Sequence, residues 1–382
     1  MRSVHSLRPA GLLLGMMMAV ISCSEKEDSQ AGEWKGATRI ENGVQIVVNP
    51  KEPMYGPEAV RLIYEMEFGV SEGDENEMLG GISAFAVDPS ENAYIYDGKA
   101  GQVKIFDKSG RFVGLFGRRG QGPGEFQIID GIQINSSLEV VLHDEMKSMY
   151  FDSQGRHIKD LKAMGLGIFY GDIHHDGRGQ IYALKTSPQG SVTTRELCKF
   201  AGPGADMSVL ASLASSGPYK YPDVGLRYAL FPDDHVIWTS PPHYEFTIVD
   251  PDGKLIKKII NTYTLRKIDD AYKSRILEMM PARFRDRINF SEHLPPLDVI
   301  CPDEQSGFFV KTFEIETDSG KTFLDVYDSE GRNAARISVK MAFETSLFQK
   351  GKITIANNKL YVKDFNDEGY PVLARYLIQK NY

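Results

Sequence analysis

At 382 residues the chain exceeds an ordinary single domain, and 52 acidic against 44 basic residues leave it with a formal charge of −8. That balance excludes the basic footprint of a nucleic-acid binder. Its three cysteines are Cys23, Cys198 and Cys301, and apart from the first two dozen residues no segment is apolar enough to anchor it in a membrane.

The chain opens with Arg2 and Arg8, an apolar run from Gly11 to Ile21, and then Val20-Ile21-Ser22-Cys23. The run is too short to span a bilayer, and the order of parts is that of a secretory signal. It resembles a lipoprotein signal, which implies cleavage after residue 22 and diacylation of Cys23. Residues 1–22 carry two arginines and no acid, so the exported chain would have a charge of −10. Ser24-Glu25-Lys26-Glu27-Asp28 follows, a solvated tether or an acidic signal for display outside the outer membrane. Residues 23–56 are read as this tether plus an N-terminal hairpin, and residues 57–382 as one body.

Within that body a strand runs into an Asp-x-x-Gly turn at Asp107, Asp152, Asp250 and Asp328. The aspartate bonds the backbone two residues on, and the glycine takes the positive φ of a tight antiparallel connection. The intervals are 45, 98 and 78 residues; the interval of 98 holds a degenerate unit around Leu197-Cys198-Lys199-Phe200. Pairs of short strands precede each turn, giving six units of four antiparallel strands. The fold class predicted is therefore all-β: a six-bladed β-propeller. The last unit has Val372 to Ile378 as its third strand and no fourth, whereas residues 60–69 form a strand without a unit. The N-terminal strand is expected to complete the last blade and close the ring. The long interval contains Ile268, Tyr272, Ile276 and Met279 at helical spacing before Pro281, so residues 261–296 are read as a small helical insertion.

The stretch Phe116-Gly117-Arg118-Arg119-Gly120-Gln121-Gly122-Pro123-Gly124-Glu125-Phe126, with the Tyr-Ile-Tyr-Asp and Phe-Asp-x-x-Gly pieces beside it, resembles the NHL-type six-bladed propellers of exported bacterial lipoproteins. The resemblance implies the fold and export from a Gram-negative cell, and no catalytic residue.

Connectivity sorts the loops of such a body. Loops after the first and third strands of each blade are tight turns on one face. Those after the second strand, and between blades, hold the long segments 117–127, 185–196, 202–227, 240–244 and 261–295, which makes theirs the expected working face. Candidate binding residues there are Arg118, Arg119 and Glu125 in the glycine-rich connection, His143, His243 and Tyr244, and Arg283, Arg285 and Arg287 of the insertion. The three insertion arginines are read as placing positive charge beside Arg118 and Arg119, a site for an anionic ligand. Asp97 and Asp144, with Asp364, recur at the ends of second strands, as loop caps or as a polar ring at the channel mouth. His174-His175-Asp176 reads as a turn rather than a metal set, since it ends a first strand on the short-turn face. Cys198 and Cys301 fall in non-adjacent blades, too far apart for a disulfide.

The function expected is that of a lipid-anchored, exported, non-catalytic propeller in the outer membrane, on its periplasmic or cell-surface side. It would bind a small ligand or a protein through the long-loop face and touch the membrane through Cys23, with neither nucleic acid nor a cofactor. The alternative is a metal-dependent hydrolase or lyase at the central channel mouth, where calcium would be the cofactor. That reading needs carboxylates or histidines converging from several blades.

Overall fold

The computed structural model describes residues 32–382, apart from residues 130, 136, 145–146, 163–168, 203–205, 217–219, 223–224, 280–281, 287, 316–320 and 341–352. It is a six-bladed propeller of four-stranded antiparallel blades. Blade 1 comprises Ile82–Val87, Ala93–Asp97, Gln102–Phe106 and Phe112–Phe116, and blade 2 runs from Gly131–Ile134 to His157–Lys162. Blades 3, 4 and 5 begin at Phe169–His175, Arg227–Leu230 and Val299–Pro302. Blade 6 takes Ile353–Ala356, Lys359–Phe365 and Pro371–Lys380 from the end of the chain and its outer strand, Val60–Phe68, from the beginning. The closing ladder is antiparallel, with Leu62 opposite Ile378 and Phe68 opposite Leu373, as expected from the unpaired strand and the incomplete last unit.

The Asp-x-x-Gly turns share one hydrogen-bond pattern. The carboxylate of Asp107 accepts from the amides of Ser109 (2.9 Å) and Arg111 (3.2 Å), and Gly110 sits at φ +85°. Asp152, Asp250 and Asp328 repeat it on the amides two and four residues on. Asp88, Asp176 and Asp303 use it at the other short turns, where it is less visible because Asp88 and Asp303 are not followed by glycine three residues on. His174-His175-Asp176 thus does run into a turn, capped by Asp176.

The predicted loops 185–196 and 202–227 of blade 3 are largely strand. Ile181–Gln189 and Val192–Phe200 form a long hairpin, backed by Met207–Ser216. Its outer part, residues 185–196, is mostly polar and charged, with Val192 as its one branched aliphatic residue, and shows no apolar alternation. Lys185 and Glu196 face each other across it as an ion pair of 3.1 Å. The insertion does contain a helix, Asp270–Met279, which starts at the Asp269 carboxylate (2.7 Å from the Tyr272 amide) and buries Ile276.

The residues before the closing strand form a belt around three blades. Ala37–Glu41 and Val44–Asn49 turn at Asn42-Gly43, both at positive φ, and the second strand adds in parallel to the outer strand of blade 4. Met54 and Tyr55 then donate to the carbonyls of Asn333 and Ala334 in blade 5, and Val60 enters blade 6. Asn49, fully buried, locks the belt. Its Oδ1 accepts from Trp34 Nε1 (3.1 Å) and the Asn333 amide (2.9 Å), and its Nδ2 donates to Asn261 Oδ1 (3.1 Å) and the Gly331 carbonyl (2.9 Å). Such a residue has no apolar substitute, since four groups would lose a hydrogen bond at once.

Cys198 and Cys301 are free and buried, and burial pushes their thiols up to about 11 and about 12. We expect neither Cys198 nor Cys301 to react with a thiol-specific reagent in the native protein, and both to react after unfolding. Rapid labelling in native buffer would show that these strands open.

Candidate functional site

Three segments far apart in the chain build a cleft of about 390 Å³ between blades 4 and 5. Blade 4 supplies Tyr244, at the end of the 240–244 connection, and residues 261–266, which leave its outer strand. Blade 5 supplies Glu314 from its second strand, Asp325 from its third, and Asn333 and Arg336 from its fourth. Residues 50–53 of the belt complete the lining.

The charges in the cleft are held in place. Arg336 grips Asp325 with Nε (2.6 Å) and Nη2 (3.0 Å) and reaches Glu314 with Nη1 (3.3 Å). Tyr244 donates its hydroxyl to the same Asp325 at 2.5 Å. The carboxylate of Asp325 is fully buried, so the bidentate guanidinium and the phenol offset its loss of hydration. Burial, and then the Asp325 charge, hold the Tyr244 hydroxyl protonated far above its ordinary value. Two polar atoms buried beneath the lining lack a partner among the described residues: Asn333 Oδ1, on a residue 7 % exposed, and the Tyr263 hydroxyl, which burial pushes up to about 12. Lys51, Arg266 and Arg336 balance Glu52, Glu314 and Asp325, so the lining carries no net charge.

Of the residues singled out in the sequence, only Tyr244 lies in this cleft. Arg118 pairs with Glu125 (2.6 Å), whose other oxygen accepts from the Gly122 amide, so the pair closes the glycine-rich connection on itself. That amide and then Arg118 hold the Glu125 carboxyl below its ordinary value. Arg119 donates to the Gly98 carbonyl at 2.9 Å. Asp97 accepts from the amides of Gly80, Lys99 and Ala100, and Asp144 from that of Lys147, so both cap loops. His243 is exposed. Arg285 donates to the Glu278 carbonyl, while Arg287 and the side chain of Arg283 lie outside the described residues, as does Cys23. The insertion is tied to the connection before blade 4, where Lys220–Tyr221 pairs with Asn289–Phe290. Arg118 and Arg119 leave blade 1, half a ring away in blade order, which separates them from Arg285.

His143 is buried and forms a second polar centre. Its ring stacks on His175 of blade 3 at 5.3 Å and 7°, with Nδ1 at 2.9 Å from Ser148 Oγ. Gln133 joins the two blades, accepting from the His175 amide (3.1 Å) and donating to its carbonyl (3.0 Å), and Tyr150 Oη meets His175 Nδ1 at 2.7 Å. Connectivity puts the two histidines on opposite faces. They meet because the inner strand Gly131–Ile134 is only four residues long, about 13 Å at the usual rise, and side chains from its two ends reach its middle. Burial is the main reason that both rings stay neutral, His175 falling to about 4 and His143 also well below its ordinary value. Among the described residues, no three carboxylate, imidazole or thiol groups come together as a metal set, and no helix is long and apolar enough to cross a membrane.

Residues 72–167 match the model of the DUF5128 family, described as a 6-bladed beta-propeller. None of the curated proteins matches the chain. Among solved structures it is similar to a protein of Bacteroides fragilis described as exported, at 11 % identity and a TM-score of 0.54, covering 88 % of this chain and all of the other. It is also similar to a member of the DUF4221 family from Bacteroides vulgatus, at 10 % identity and a TM-score of 0.50, covering 85 % and 99 %. At these identities the likeness is one of fold.

Proposed function

We propose that this chain is an exported, lipid-anchored, non-catalytic binding protein whose ligand site is the cleft between blades 4 and 5. The observation that carries the reading is the cleft itself: a volume within the range of about 300–1,000 Å³ usual for ligand sites, walled by fixed polar side chains on a rigid ring. It uses two of the long connections that mark the expected working face, 240–244 and 261–295. The neighbouring protein described as exported supports the address, and so does the signal ending at Cys23.

The anchor and the cleft are close in the chain. Trp34, beside Asn49 and over Arg332 (5.9 Å), is where the belt begins at the same interblade seam. The eleven residues from Cys23 to Glu33 reach at most about 40 Å, so the cleft would work near the membrane surface. Incorporation of a radiolabelled fatty acid and membrane fractionation test the address. The wild-type chain should be labelled and sediment with outer membranes, and Cys23→Ala should be unlabelled and unanchored. An unlabelled wild-type chain would overturn the anchor.

A further inference from the structure

We propose that two copies of this chain associate edge to edge through the strand Ala37–Glu41, which pairs antiparallel with the same strand of the second copy about a two-fold axis at Ile40. The association is independent of the cleft. The first hairpin of the belt lies outside the fourth strand of blade 4, so this sheet has six strands where the other five blades have four. Two strand spacings carry its last strand about 10 Å beyond that fourth strand, ahead of the rest of the rim. All five of its residues are exposed, and among the described residues nothing pairs with its outer edge.

Hydrogen-bond parity fixes the register of such a pair. Asn42-Gly43 is a two-residue turn with both residues at positive φ, so Glu41 and Val44 exchange backbone bonds across it, and Arg39 and Ile46 do the same one step further on. Asn49, of the opposite parity in the second strand, accordingly turns its carbonyl towards blade 4, where the Thr262 amide donates to it at 3.1 Å. Thr38 and Ile40 are left with their amides and carbonyls pointing outward. In an antiparallel pair centred on Ile40, that residue exchanges both backbone bonds with the second copy's Ile40, and Thr38 faces its Asn42.

The side chains fit the same register. Arg39 falls opposite the second copy's Glu41, and Glu41 opposite its Arg39, at the non-hydrogen-bonded positions where side chains of facing strands lie nearest. Within one chain the two already form an exposed ion pair of 2.5 Å, so two copies make an alternating square of four charges. Ile40, 67 % exposed, meets its own counterpart on the other side of the sheet. Like charges would protect an edge, because they repel when it pairs with itself; opposite charges two residues apart attract. The interface is isologous and closes at two copies.

Sedimentation equilibrium of the exported chain carrying Cys23→Ala measures the association. A contact of this size is weak, so we expect a monomer–dimer equilibrium with a Kd on the order of 10–500 µM. Arg39→Glu and Glu41→Arg should each weaken it about 10-fold or more, since two attracting pairs become two repelling ones. An equimolar mixture of the two variants, or both substitutions in one chain, should associate as the wild type does. Oxidation with diamide tests the register. Ile40→Cys should give a disulfide-linked dimer, its two copies having Cα atoms about 5.5 Å apart, and Thr38→Cys should not, its two copies being offset by about 13 Å. A wild-type chain that stays monomeric up to about 500 µM overturns the proposal. Hydrogen exchange would then tell an edge covered by the chain's own tether, with the Thr38 and Ile40 amides protected, from one left open to a different protein. A dimer indifferent to both charge reversals, or one in which Thr38→Cys links as readily as Ile40→Cys, overturns it as well.

Discussion

Replacing Phe68 with alanine should lower the stability of the folded chain by about 3–5 kcal/mol, and deleting residues 32–69 should abolish its cooperative unfolding transition. Phe68 is fully buried at the seam where the ring closes. Its ring lies 6.2 Å from Phe106 of blade 1 and 6.2 Å from Tyr361 of blade 6, so one truncation opens a cavity between the first blade and the last. The rest of the ladder is amphipathic: Val60 and Phe68 are buried, while Arg61 and Tyr64 face out. Deletion has a larger effect because it also strips the belt from blades 4 and 5. It leaves Pro371–Lys380 as a ten-residue open edge carrying the buried Val372, Leu373, Ala374 and Ile378, the kind of edge that pairs with other chains. Equilibrium urea unfolding followed by near-ultraviolet circular dichroism measures both. A loss below about 1 kcal/mol for Phe68→Ala, or a truncated chain with the wild-type midpoint, would show that the ring does not depend on its closing strand.

That strand was legible in the sequence because closure is a counting problem. A repeat with one strand missing at its end and one to spare at its start has a single economical solution, and Asp-x-x-Gly marks the count. The turn also sets register. With Asp328 and Gly331 fixed, Tyr327 falls opposite Asn333 and Asp325 opposite Arg336, so the ion pair at the heart of the cleft was within reach of the same motif. The rest of the cleft was not. Residues 50–53, Tyr244, residues 261–266, Glu314, Asp325, Asn333 and Arg336 come together only once the belt is wrapped on blade 5, and no local spacing encodes that. The hairpin of blade 3 was hidden for the opposite reason: its outer strands bury little, so they lack the alternation by which strands are recognised. The Asn42-Gly43 turn was a readable signal for the first hairpin, although its parallel docking on blade 4 depends on the Asn49 network.

Acidification should destabilise the fold through His143 and His175, at about 2.7 kcal/mol per pH unit while both rings are neutral in the folded chain and charged in the unfolded one. The sign follows from the direction of the shifts. Burial depresses both folded-state values below the ordinary 6.5, so near pH 7 neither state takes up protons and stability is full. Below about 6.5 the unfolded chain binds two protons that the folded chain refuses, and stability falls until the folded values are reached, about 4 for His175 and lower than its ordinary range for His143. The refusal is physical. The rings are stacked at 5.3 Å between two blades, so a charge on one raises the cost of a charge on the other, and His174 and Lys159 oppose it further while Asp172 partly favours it. Other groups titrate over the same range, so the measurement is a difference. Between pH 6.5 and 5 the wild-type chain should lose about 3 kcal/mol more than a His143→Gln, His175→Gln chain, whose lower stability at pH 7 leaves the pH slope interpretable. Parallel pH profiles, or His143 and His175 imidazole resonances of the native protein that titrate near 6.5, would mean that water reaches the pair and that the seam between blades 2 and 3 is open in solution.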